Sequence, residues 1–157
     1  MVKATKPKRS PTSIFNEEDT HSIYENILLV CESDRKAYGK ADILKNAASS
    51  TKASPSFDFI YDNYENEMQN PKDNVFYFSA ETTNQSTKRN HSNVVKQWYM
   101  HIRNAFAHNY IRQDNGAYVF EDFYQGDNQP LKQTLYARIT NLDDFKNLIK
   151  EVKSKLN

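Results

Sequence analysis

Between Val94 and Phe106 the apolar residues Val94, Val95, Trp98, Tyr99, Ile102, Ala105 and Phe106 recur three and four apart. A stripe of that period marks a helix with one face to bury, and it constrains this chain more than any other stretch. It predicts a helix opening at Ser92 or Asn93 and lying at the centre of the core. Beyond it, Asp114-Asn115-Gly116 carries turn chemistry and the period changes to two. Leu135, Ala137 and Ile139 point one way while Thr134, Tyr136 and Arg138 point the other. The alternation predicts a β-hairpin with strands over residues 117–124 and 131–140, joined across Gly126 to Pro130.

Other helical patterns surround these two elements. Ile23, Ile27, Leu28, Val30 and Cys31 predict an amphipathic helix over residues 19–36, with Asp19 or Thr20 as its N-cap. A short second helix is expected over residues 40–48, followed by a polar loop to Pro55. Phe57, Ile60, Tyr61, Tyr64 and Met68 trace a third stripe, capped by Ser56 and stopped at Asn70-Pro71. After the short apolar run Val75 to Phe78, the polar residues 79–90 read as a loop beside the central helix. Asn141 caps a last helix with Leu142, Phe145, Leu148, Ile149, Val152 and Leu156 on its buried face. The fold expected is therefore mainly α: a bundle of four to five helices, with one accessory β-hairpin before the C-terminal helix.

The length of 157 residues fits one such domain. Residues 13–157 read as that domain, and residues 1–12, with two prolines and four cations, as a disordered basic tail. Lys and Arg number 21 against 20 for Asp and Glu, so charge alone names no partner. A single cysteine, Cys31, excludes an internal disulfide and a multi-thiolate zinc site. It reads as a core residue. No run approaches the roughly 18 apolar residues of a membrane span, and the expected location is the cytoplasm.

The opposite, polar side of the central helix holds His101, Arg103, Asn104, His108 and Arg112. This density of cations and hydrogen-bonding groups suits an anion. Metal-independent RNA cleavage needs a group to take the 2′-hydroxyl proton, one to protonate the leaving 5′-oxygen, and a cation for the charge on phosphorus. Histidine, with an ordinary pKa of about 6.5, suits proton transfer at neutral pH. Arginine presents a planar fork to two phosphate oxygens.

Arg103-Asn104-Ala105-Phe106-Ala107-His108 resembles the Arg, polar residue, spacer, His signature of the HEPN superfamily, and Tyr110 extends the match to the form ending His-x-Tyr. The resemblance implies a dimeric helical domain acting as a toxin or antiviral endoribonuclease that leaves a 2′,3′-cyclic phosphate. It implies His108 in proton transfer, Arg103 on the scissile phosphate and Asn104 orienting either. Tyr110 takes a supporting or regulatory place, as a position that a cognate antitoxin nucleotidylates in some relatives. His101 and Arg112 are expected to contact RNA.

No cofactor is expected. The glycines Gly39, Gly116 and Gly126 form no phosphate-cradling loop. His101 and His108 stand roughly 10.5 Å apart along an ideal helix, too far to share a metal ion, so no metal site is expected. Residues five apart on a helix point about 140° from one another, which makes Arg103 and His108 hard to converge on one phosphate within a chain. A homodimer with a shared cleft answers that geometry, with RNA as substrate and an antitoxin or other regulator as further partner. The rival reading is a non-catalytic HEPN-like module that binds RNA, nucleotide or protein.

Overall fold

The computed structural model describes residues 14–28, 57–61, 64–79 and 94–156. Its centre is a five-stranded mixed sheet and not a helical bundle, which corrects the mainly α expectation. The strands are β1 (Asp58–Ile60), β2 (Val75–Phe78), β3 (Ile111–Asp114), β4 (Ala117–Tyr124) and β5 (Lys132–Ile139). In space they run β1-β2-β5-β4-β3, with β1 and β2 parallel and every other neighbouring pair antiparallel. The hairpin of β4 and β5 is thus no accessory. It is the middle of the sheet.

The helices are α1 (Glu17–Ile23), which continues as one π-helical turn over Tyr24–Leu28, the short α2 (Tyr64–Glu67), α3 (Val94–Ala107) and α4 (Leu142–Leu156). Asn16, and neither Asp19 nor Thr20, caps α1: its side chain accepts from the Asp19 amide at 2.7 Å. Asn141 caps α4 as expected, its Oδ1 accepting from the amides of Asp143 at 3.0 Å and Asp144 at 3.3 Å. The expected tail over 1–12, the helix over 40–48, Cys31 and residues 80–93 lie outside the described residues.

The first part of the third predicted helix is a strand, β1, and among its described residues only Tyr64–Glu67 is helical. Phe57 and Phe59 turn inward, where Phe59 stacks on Phe76 at 5.3 Å and meets Trp98 edge-on, while Asp58 between them is exposed. Phe57, Ile60 and Tyr61 fit a helical stripe on paper, but Phe57-Asp58-Phe59 also fits a period of two, and pairing with β2 decides it.

One face of the sheet carries the core. Phe76 and Phe78 of β2, Phe120 of β4 and Leu135, Ala137 and Ile139 of β5 share that face with the buried stripes of α3 and α4. Trp98 of α3 meets Phe76 edge-on at 5.4 Å, and Phe145 of α4 lies 4.9 Å from Phe120. The Tyr99 hydroxyl donates to the Ile149 carbonyl at 3.0 Å, fixing α3 against α4. Burying each such large apolar side chain contributes about 1.5–3 kcal/mol. The opposite face has a smaller cluster of Val75, Tyr77, Ile60, Met68 and Tyr136. Among the described residues, no helix is long and apolar enough to cross a membrane.

Candidate active site at the end of helix α3

Two devices place the polar residues of α3. The first ends the helix. His108 still donates its amide to the Asn104 carbonyl at 2.9 Å, and the chain then turns at Asn109, whose φ is 57°. Asn109 donates to Phe106 O at 3.2 Å and Tyr110 to Ala105 O at 2.8 Å. These are the paired bonds of a Schellman motif, with Asn taking the left-handed position that Gly more often fills. His108 is left exposed at the C-cap. His108 thus stands one residue past the last helical residue, Ala107, with Arg103 inside the helix.

The second device is the β3–β4 hairpin. Asn115 and Gly116 both have positive φ, 48° and 80°, as a two-residue hairpin turn requires. That turn brings β4 back alongside α3. Tyr118 and Phe120 face the helices and so does Asp122, two residues further on. Asp122 is 3% exposed, and its Oδ2 meets His101 Nδ1 at 2.9 Å, Thr134 Oγ1 at 3.2 Å and Asn104 Nδ2 at 3.3 Å. His101 Nε2 meets the Ser79 carbonyl at 3.0 Å. Both ring nitrogens of His101 thus face oxygen atoms, one on β4 and one just after β2.

Arg103, half-buried, donates through NH1 to Asn104 Oδ1 at 3.1 Å. The contact joins Asn104 to Arg103, one of the two residues that the resemblance gave it to orient. Tyr110 is 7% exposed, with its ring 5.6 Å from His108 on one side and 5.6 Å from Phe123, edge-on, on the other. His101 and Arg112, expected on RNA, are engaged with protein. His101 is turned inward as described. Arg112 sits on β3 and pairs with Glu121 at 2.6 Å.

Glu121 and Asp122 are adjacent on β4 and face opposite ways. Burial pushes the Glu121 carboxyl above its ordinary 4.5, opposed by Arg112 and by hydrogen bonds from Arg112 and Gln133. Asp122 is the site residue that sequence reasoning passed over. The signal was the register: in a strand whose Tyr118 and Phe120 point inward, an acid at 122 also points inward, and a buried carboxylate needs donors.

Among the described residues, no group of three or more His, Cys, Asp or Glu side chains is arranged to hold a metal ion. Compared with known proteins, the chain matches no family model, no curated protein and no solved structure. The site must be read from its own chemistry.

Proposed function

We propose that this chain is a metal-independent endoribonuclease of HEPN type, with His108 in proton transfer, Arg103 on the scissile phosphate and Asn104 holding the guanidinium. One observation carries the reading: the helix stops one residue short of His108, so that an exposed imidazole stands a turn beyond an arginine whose neighbour, Asn104, is itself anchored. Proton transfer to and from oxygens needs a histidine that substrate can reach, and a guanidinium in a fixed orientation stabilises charge on phosphorus without reorganising.

In the proposed reaction the 2′-oxygen attacks phosphorus as its proton passes to a base. The P–O5′ bond breaks as an acid protonates the leaving oxygen, and a cyclic phosphate remains. A single exposed motif histidine serves one transfer at a time. Two copies paired around a two-fold axis supply two, and they also bring an Arg103 and a His108 from opposite chains toward one phosphate despite their divergence within each chain. RNA is the substrate because the nucleophile is the 2′-hydroxyl. A toxin or defence role in the cytoplasm, under an antitoxin or other regulator, is the setting that fits such an activity.

The test is incubation of purified protein with mixed RNA in excess chelator, comparing wild type with His108→Ala. Cleavage that persists without metal, leaves cyclic phosphate ends and vanishes in the variant is the expected result. Equal cleavage by both proteins would remove His108 from the chemistry. RNA binding with no cleavage by either would make the domain a recognition module.

A further inference from the structure

Adjacent residues on a helix point about 100° apart, so a hydrogen bond between the side chains of Arg103 and Asn104 is not a product of helical geometry. Something must hold the Asn104 amide in the orientation that receives it. The amide has one acceptor and one donor end, and Asp122 engages the donor end at 3.3 Å. The Oδ1 end is thereby left for Arg103 NH1 at 3.1 Å. Turning the amide over would set its oxygen against a buried carboxylate and its NH₂ against a guanidinium. Both contacts would be repulsive.

Asp122 is fixed in its turn. Its Oδ2 also receives Thr134 Oγ1 from β5 and His101 Nδ1 from α3, and His101 reaches on to the Ser79 carbonyl after β2. A carboxylate in that setting costs several kcal/mol unless it is paired and hydrogen-bonded, which these donors accomplish. Two strands, β4 and β5, and the helix therefore meet at one oxygen atom, and His101 ties that point to the residue after β2. We propose that Asp122 is a positioning residue for Arg103, acting through Asn104, so that the sheet sets the direction in which the guanidinium is presented. The effect on cleavage rests on the ribonuclease reading; the positioning does not.

Side-chain NMR of ¹⁵N-labelled protein tests it without RNA. In folded Asp122→Asn, which keeps the shape and removes the charge, the Arg103 Nε–H resonance should shift and the Asn104 amide protons should exchange about tenfold faster. In an Asn104→Ala background, the same Asp122→Asn change should leave the Arg103 resonance where Asn104→Ala alone puts it. An unshifted Arg103 resonance in folded Asp122→Asn overturns the proposal. So does a shift that persists without Asn104, since Asp122 would then act by another route. If Asp122→Asn does not fold, Asp122→Glu, which keeps the charge and moves the carboxylate by one methylene, puts the question to the same contact, and an unaltered Arg103 resonance in that folded variant again overturns it. In parallel, Asp122→Asn should lower kcat on RNA by about tenfold or more with KM changed less than about twofold, as expected for lost orientation. Should wild type cleave no RNA, the ribonuclease reading fails while the resonances still decide the positioning.

Discussion

The ring of His108 lies 5.6 Å from that of Tyr110, inclined by 33°, and Tyr110 is itself closed in by Phe123 at 5.6 Å. Tyr110 is therefore a packing residue as well as a neighbour of the exposed histidine. Tyr110→Ala should lower the unfolding free energy by about 3 kcal/mol, in the range for truncating a buried aromatic. Tyr110→Phe should cost about 1 kcal/mol or less, because the ring remains. Urea denaturation measures both. A small loss in the alanine variant would mean that the ring supports nothing. Any loss of cleavage in Tyr110→Glu has to be compared with its folded fraction before it is credited to charge beside His108.

Arg103→Lys keeps a positive charge and loses the planar guanidinium whose NH1 donates to Asn104. We expect an unchanged melting temperature within a degree or so and a rate on RNA lower by about tenfold or more. Initial rates at saturating RNA provide the measurement. A lysine variant as fast as wild type would mean that only diffuse charge is needed at this position.

Glu121 supplies a pH dependence of known sign. Burial holds its carboxyl above 4.5, so the native chain keeps this proton to a higher pH than the unfolded chain does. Between those two values the unfolded state has lost the proton and the native state has not. The stability contributed by the neutral carboxyl is complete below this window and falls as pH rises through it. Glu121→Gln should remove that component, flattening the stability profile measured by denaturation from about pH 4 to about pH 7. An identical slope in wild type and variant would exclude Glu121 as its source.

Asn109 holds the left-handed turn that leaves His108 at the end of α3. Asn109→Ala should destabilise the protein by about 1 kcal/mol, whereas Asn109→Gly should be neutral or slightly stabilising. Thermal denaturation of the pair separates backbone strain from loss of the amide side chain. Equal destabilisation by Ala and Gly would assign the effect to the side chain.

What the sequence made legible follows from how local each signal is. The stripe from Val94 to Ala105 and that from Leu142 to Val152 are buried as their period requires, although the first helix ends at Ala107, so that His108 lies just beyond it and Arg112, read as lying on its polar side, is on β3. The hairpin strands were legible too, because alternation at 134–139 is unambiguous. Their place at the centre of the sheet was not, since strand order is set by partners far away: Tyr77 pairs with Tyr136, and Phe78 with Leu135. The turn Asn115-Gly116 signalled a hairpin whose first strand, Ile111–Asp114, has only Ile111 buried and so shows no apolar alternation. At the site, the spacing from Arg103 to His108 was visible along one helix. The Asp122 anchor depends on β4 meeting α3 and left only the trace of an acid in an inward register.

The strand order β1-β2-β5-β4-β3 also has a consequence in time. During synthesis, β1 and β2 emerge as one ribbon and β3 and β4 as another, and neither ribbon pairs with the other until β5 slides between them. His101 needs Ser79 from the first ribbon and Asp122 from the second, and Asp122 needs Thr134 from β5 itself. A nascent chain halted at the 126–130 loop therefore holds Arg103, Asn104 and Asp122 but not Thr134, so that one of the donors fixing Asp122 arrives only with the strand made last.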